Sequence, residues 1–276
     1  MARWSNRLFR PLCLLPLLAL AACGDEDVET TPPAEATKAD GGAVADADTK
    51  PGKSSTPPKE VPGRPGERPV KEAQPGPVAT PLPEGANAAL TDPSLASEQA
   101  PASFKCHFET SKGAFVVEVN RAWAPVGADR FYNLCKIGWF DNAKFFRNIG
   151  GFMVQFGISA YPDATTAWKE ATIKDDPVVE SNTPLMVTFA KTGAPNSRTT
   201  QIFINHGNNK NLDSMGFAPF GKVVEGADVV GQLYDGYGEG APRGKGPRQD
   251  LVMKVGDLYL EDRFPKLDKI LSTKVE

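Results

Sequence analysis

The stretch Phe145-Phe146-Arg147-Asn148-Ile149-Gly150-Gly151-Phe152-Met153-Val154-Gln155 sets a guanidinium and a carboxamide among large apolar side chains. It reads as two short β-type runs on either side of a Gly-Gly break. Side chains two apart in a strand share a face, so Arg147 falls with Phe145 and Gln155 with Met153. Such a surface suits an uncharged, partly apolar ligand that needs one strong hydrogen-bond donor. Other chemistries have little to draw on. The 276 residues include two histidines, His107 and His206, and no zinc-type cysteine spacing, which argues against a His-built metal site or a Ser-His-Asp triad. Neither metal nor cofactor is expected. A net charge of -3, a pI near 5.6 and scattered lysines and arginines argue against a nucleic-acid partner.

The elements that must position these groups occupy only part of the chain. Residues 24–102 contain no Phe, Trp or Tyr, yet hold 14 of the 25 prolines. A segment of that composition cannot bury enough apolar surface to offset its ordering entropy, and it reads as a disordered tether. As a flexible coil its r.m.s. reach is on the order of 50 Å. Ahead of it, Arg3, Arg7 and Arg10 precede an apolar run over 11–22, too short to span a bilayer and suited to a signal peptide over residues 1–22. The run ends in Leu20-Ala21-Ala22-Cys23, which resembles the lipobox of bacterial lipoproteins. That resemblance implies lipidation of Cys23, attachment to a membrane through acyl chains, and residence in a bacterial cell envelope facing the periplasm. Gly24, where an Asp would hold some lipoproteins at the inner membrane, inclines the reading to the outer membrane. The alternative is an ordinary signal peptide whose small-residue cleavage site precedes a cysteine. The expected organisation is therefore signal peptide 1–22, lipidated Cys and Pro-rich linker 23–102, and one folded domain over 103–276.

Within the domain, residues 104–120 read as a β-hairpin whose second strand puts Phe115, Val117 and Val119 on one face. Phe131, Leu134, Cys135 and Ile137 have helical spacing over 126–137, and Gly138 stops the helix. The opening stretch follows as two strands. Residues 159–184 read as a loop, broken by Pro162, Pro177 and Pro184, with a turn at Ala167-Trp168-Lys169-Glu170. A strand over 185–191, a turn-rich loop over 192–198 and a strand over 201–205 come next; Gln201, Phe203 and Asn205 share a face of the last. Residues 217–224 read as a strand, 229–233 as a short helix, 236–246 as a loop with five glycines, 251–260 as a final strand and 263–270 as a terminal helix. Many short strands with few helices point to an all-β barrel or sandwich, with Phe115, Phe131 and Phe220 in its core.

Several stretches resemble the cyclophilins, the peptidyl-prolyl cis-trans isomerases. Phe145 to Gln155 is similar to their Phe-His-Arg, Gly-Phe-Met, Gln signature, with Phe146 in place of the His. Phe131-Tyr132-Asn133-Leu134, then Gly138-Trp139-Phe140, is similar to the family's first helix and exit. Ala190 to Ser197 with Thr200 to Asn205 looks like the second signature; Leu212-Asp213 with Gly216 to Gly226 looks like the third. The tail from Gly256 through Leu260 to Phe264-Pro265-Lys266-Leu267-Asp268 is similar to bacterial and chloroplast members. The resemblance spans about residues 104–270. It implies a closed eight-stranded antiparallel barrel capped by two helices, and rotation about X-Pro peptide bonds in proline-containing, unfolded or flexible polypeptides, assisting the folding of cell-envelope proteins. A monomer is expected.

Carried over residue by residue, the resemblance makes Arg147 the donor to the prolyl nitrogen and Gln155 its orienting neighbour. It makes Phe152, Met153, Phe203, Leu212 and Phe217 the walls of the proline pocket, with Ala190, Lys191 and Gln201 along the groove for preceding residues. Departures from the family pattern are Asn211 where many members have Trp, which implies weak inhibition by cyclosporin, Phe189 for Met, Ile202 for Phe, and one extra residue before each of Pro195 and Phe217. A non-catalytic module that binds proline-containing segments in the same groove is the competing reading. Arg147 taken alone would suit a surface ion pair. Cys106 and Cys135, on the first strand and first helix, either form a disulfide or remain two buried thiols.

Overall fold

The computed structural model describes residues 79–276, which fall within one compact unit. The expected signal peptide, Cys23 and most of the expected tether lie outside the described residues. Eight strands run β1 (Ser103–Thr110), β2 (Gly113–Asn120), β3 (Arg147–Ile149), β4 (Met153–Phe156), β5 (Met186–Phe189), β6 (Ile202–Asn205), β7 (Pro219–Glu225) and β8 (Ile270–Val275). They form one antiparallel sheet in the order β3-β4-β6-β5-β7-β2-β1-β8.

The closed barrel expected from the sequence is not formed. The ladder remains open between the end strands β3 and β8, giving a curled half-barrel. Its lips touch through one isolated bridge, Lys144 to Lys269, and neighbouring bonds such as Phe145 N–H to the Asp268 carbonyl at 3.1 Å. The reason lies in β3, which has only three residues. The two phenylalanines before it turn into different cores: Phe145 packs 4.9 Å from Phe156 in the main core, whereas Phe146 joins Ile158, Val252, Leu260 and Leu267. Phe145 therefore does not share the face of Arg147, because strand alternation begins only at Arg147.

The main core is aromatic. Phe108 stacks on Phe115 at 4.7 Å, and Phe131, Phe140 and Phe220 complete the cluster, all fully buried. Helix α1 (Pro125–Lys136) packs against β7 and β8. Pro125 suits its first turn because a proline lacks the N–H that would be unsatisfied there. Ala128, Phe131, Leu134 and Cys135 make its buried stripe. The N–H groups of Val126 and Gly127 donate to the Asp176 carboxylate at 3.0 and 2.8 Å, a distant cap that also complements the helix dipole. Cys106 on β1 and Cys135 on α1 form a disulfide, which resolves the alternative left open by the sequence.

Four further differences from the sequence reading have local causes. The folded body reaches back to Ala79 rather than starting at Ser103: Ala89, Leu90 and Ala100 are buried, and the Trp168 indole donates to the Ala89 carbonyl at 2.9 Å. Small apolar residues between prolines can pack against an existing surface even where they could not form one. The loop expected over 159–184 contains helix α2 (Pro162–Trp168), begun rather than broken by Pro162. The expected strand over 251–260 is a pair of helices, α4 (Gln249–Val255) and α5 (Asp257–Arg263), after the short α3 (Ala227–Gly231). Leu251, Met253 and Val255 imitate a strand's alternation, but burial follows Val252, Val255 and Leu260. Gly256, at φ +74°, makes the break between the two helices. The expected terminal helix over 263–270 is a turn that delivers β8 to β1.

A buried amide locks the loops that carry the groove. Asn182, 0 % exposed, donates through Nδ2 to Asp213 Oδ1 and the Phe217 carbonyl, both at 2.8 Å. Its Oδ1 accepts from Thr188 Oγ1 at 2.8 Å and from Asn205 Nδ2 at 3.3 Å. The four hydrogen-bonding sites of the amide are thus filled, joining β5, β6 and the turn over Lys210–Met215. Burial pushes the Asp213 carboxyl up, but bonds from Ser181 and Asn182 outweigh it and hold it below the usual range. Asn182→Ala removes the bonds to Thr188 Oγ1 and the Phe217 carbonyl, while Asp213 Oδ1 keeps the Asn182 N–H and Asn205 Nδ2 keeps the Met186 carbonyl, and should cost about 2 kcal/mol in chemical denaturation. A loss under about 1 kcal/mol would show that these partners find replacements.

Candidate active site

The hairpin β3–β4 pairs Arg147 directly with Gln155, and the next pairing places Gln155 against Phe203 of β6. Cross-strand neighbours on one face lie about 5 Å apart, so these side chains meet by register alone. Arg147 Nη1 donates to Gln155 Oε1 at 3.0 Å, and Gln155 Nε2 donates to Gln201 Oε1 at 2.8 Å. A polar line therefore runs Arg147–Gln155–Gln201 along the outer face of the sheet.

Beside this line is a separate apolar cluster. Met153, Phe203, Leu212 and Phe217 are its buried members, and Ile149, Phe152 and Ala190 pack around them. The Phe203 and Phe217 rings meet edge to face at 5.9 Å. Arg147 Cζ lies 5.9 Å from the Phe152 ring, and its Nη1 lies 4.0 Å from Met153 Sδ. All five residues expected to wall a proline pocket thus come together next to the guanidinium. The loop geometry that achieves this includes Gly151 at φ +75° and the Phe152 carbonyl, which accepts from His206 N at 2.9 Å and Asn209 Nδ2 at 2.7 Å.

Ala190, Lys191 and Gln201 line an adjoining cavity of about 240 Å³, with Gln155, Thr200 and Met253. Lys191 Nζ sits 5.9 Å over the Phe217 ring and 3.5 Å from Asp175. Cys106 and Cys135 are remote from the groove in role, binding β1 to α1. Phe146, at the position where the family signature has a His, faces the second core and anchors α4 and α5. Among the described residues no cluster of His, Cys, Asp or Glu is arranged to hold a metal ion.

Two residues important to this geometry were missed in the sequence. One is Asn182, hidden in a stretch read as loop. The other is Glu239, whose carboxylate takes bonds from Arg147 Nε and Nη2, each at 2.6 Å. Burial would push the Glu239 carboxyl up, but the bonds and charge of Arg147 and the Gly240 N–H hold it below the ordinary range. The available signal was slight: Glu239 is the one acid within the glycine-rich run over 236–246. His206, whose Nε2 lies 2.8 Å from Asn148 Oδ1, is held below its usual pKa by burial, against the pull of Asp235.

Residues 105–255 match the family model described as "Cyclophilin type peptidyl-prolyl cis-trans isomerase/CLD". Peptidyl-prolyl cis-trans isomerase B of Escherichia coli (strain K12) is 30% identical over 160 residues, covering 53% of this chain and 94% of the relative. Peptidyl-prolyl cis-trans isomerase cyp18 of Streptomyces antibioticus is 35% identical over 143 residues, covering 49% and 85% respectively. A cyclophilin type peptidyl-prolyl cis-trans isomerase of Cryptosporidium parvum, cgd2_1660, aligns in structure with a TM-score of 0.48 at 19% identity, covering 63% of this chain and 98% of that one. The chain belongs to the cyclophilin-type peptidyl-prolyl cis-trans isomerases and is an enzyme of that activity.

Proposed function

We propose that Arg147 is the group that lowers the rotational barrier, and that the proline ring of the substrate seats against Phe152, Met153, Phe203, Leu212 and Phe217. One observation carries this reading: a nearly buried guanidinium, fixed by Gln155, lies at the edge of an apolar cluster. An X-Pro bond rotates over a barrier of about 20 kcal/mol because amide resonance is lost in the twisted state. In that state the prolyl nitrogen becomes pyramidal and gains a lone pair that a donor can meet. A hydrogen bond available mainly then stabilises the transition state more than the ground state, which raises the rate rather than only the affinity. Three of the five guanidinium N–H groups are engaged by Glu239 and Gln155; of the two that remain, one on each terminal nitrogen, that on Nη1 meets only the weak acceptor Met153 Sδ at 4.0 Å, so either can serve this purpose. The apolar wall holds the ring while the preceding residue, lying along Gln201, Ala190 and Lys191, turns. No nucleophile or proton transfer is required.

The clients are proposed to be proline-containing segments of cell-envelope proteins. The supporting features lie in the sequence, in the lipobox-like Leu20-Ala21-Ala22-Cys23 and the Pro-rich stretch behind it. A lipid anchor on Cys23 would hold a monomeric domain at the envelope membrane while letting it reach many clients. Two outcomes are expected. In a cis-to-trans assay on an X-Pro peptide, Arg147→Ala should lower kcat/KM by about 10²–10³-fold, the usual cost of losing one transition-state donor; equal activity would remove Arg147 from the mechanism. In fractionated cells, Cys23→Ser should move the protein from the membrane to the soluble fraction, and unchanged membrane retention would dismiss the lipid anchor.

A further inference from the structure

The glycine-rich run over 236–246 carries Glu239, and the fold of the run converges on that residue. The Glu239 carbonyl accepts from Gly246 N at 2.8 Å, and Glu239 Oε1 accepts from the Gly240 N–H at 2.8 Å. Gly240 and Gly246 form a parallel bridge, and Gly244 N donates to the Gly240 carbonyl at 3.0 Å. A Cβ on Gly244 would lie 2.2 Å from the Glu239 carbonyl oxygen, and one on Gly246 would lie 2.9 Å from it. The loop can close around Glu239 only because those two positions lack side chains. At its entry Tyr237 contacts Tyr234 and Phe264, each at 5.0 Å between ring centres, so the loop is pinned to the second core.

What the loop presents is a carboxylate bonded to the Arg147 guanidinium through both of its oxygens. Both oxygens are used, one on Nε and one on Nη2, the bidentate fork that a lysine or a single-point acceptor could not form. Arg147 is 5 % exposed, and a guanidinium so nearly stripped of water needs a compensating anion. Gln155, being neutral, supplies orientation but not charge. With Glu239 on one edge and Gln155 on Nη1, rotation about the last bonds of the arginine is blocked, and its remaining N–H groups keep fixed directions.

We infer that Glu239 is a positioning residue for the isomerase reaction: the glycine-rich loop is a clamp that holds the donor edge of Arg147 toward the prolyl nitrogen. This rests on the reading of Arg147 as the transition-state donor. A small misplacement of a catalytic group costs about 10²-fold in favourable cases, so a clamp of this kind acts on kcat more than on substrate affinity.

The test uses the full chain in four forms: Glu239→Gln, Gly244→Ala, Arg147→Ala, and Arg147→Ala combined with Glu239→Gln. Glu239→Gln keeps the size of the side chain and removes its charge. Gly244→Ala leaves the charge and drives the loop off its seat. Both should lower kcat on an X-Pro peptide by about tenfold or more with KM little changed, and both should speed solvent exchange of the Arg147 Nε–H resonance in NMR spectra. In the Arg147→Ala background Glu239→Gln should cost nothing further, whereas a merely structural role would cost the same in either background. Undiminished kcat in both Glu239→Gln and Gly244→Ala, with Arg147→Ala inactive, overturns the clamp and leaves the donor reading intact. A raised KM with unchanged kcat also overturns it, making the loop a binding wall. Full activity in Arg147→Ala defeats the donor reading and the clamp together.

Discussion

A guanidinium held almost out of water is the constraint around which this molecule is arranged. Arginine remains charged at any physiological pH, so burial cannot be relieved by losing a proton, and the protein must surround it with acceptors. Glu239 supplies the anion and Gln155 a neutral acceptor, while the Phe152 ring and Met153 sulfur occupy the remaining surface. These groups come from three places in the fold: Gln155 and Met153 from the partner strand β4, Phe152 from the turn before it, and Glu239 from a distant loop. The site is therefore an assembly in which register, turn geometry and loop closure must all agree for one side chain to point correctly.

The half-barrel explains how this is possible beside a hydrophobic core. Its concave side is filled by phenylalanines, and its outer face carries the polar line and the apolar pocket wall. Strand alternation separates the two: Val154, Phe156, Ile202 and Ile204 point inward, and Met153, Gln155 and Phe203 point outward. Because the sheet remains open between β3 and β8, a second small core forms at that side from Phe146, Ile158, Val252, Leu260 and Leu267. This core supports helices α4 and α5 and the aromatic root of the loop carrying Glu239. A phenylalanine where the resembling family has a histidine is thereby accounted for by packing rather than chemistry.

Legibility followed distance along the chain. The hairpins, the α1 stripe and the outward parity of Met153, Gln155, Gln201 and Phe203 were readable because periodicity over four to twelve residues reports which face is buried. Parity failed at Phe145, where no regular strand exists to carry it. It also misled over 251–260, where alternating Leu251, Met253 and Val255 lie on short helices whose burial depends on Phe146 and Ile158, about a hundred residues earlier. The segment over 79–102 read as tether because its composition cannot make a core, yet Leu90 and Ala100 need only join one already made.

By itself, then, the sequence determined the kind of protein this is: the spaced motifs name a family, and they single out Arg147, Gln155, Phe203, Leu212 and Phe217, which the fold brings together. Tertiary structure alone decided how the donor is held. Glu239 lies 92 residues from Arg147 in a loop whose composition signals only flexibility, and Asn182 lies 31 residues from Asp213 in a stretch without pattern. Hydrogen bonds between such residues have no periodic trace, since they depend on where the folded backbone brings two side chains and not on the spacing of either within its own segment.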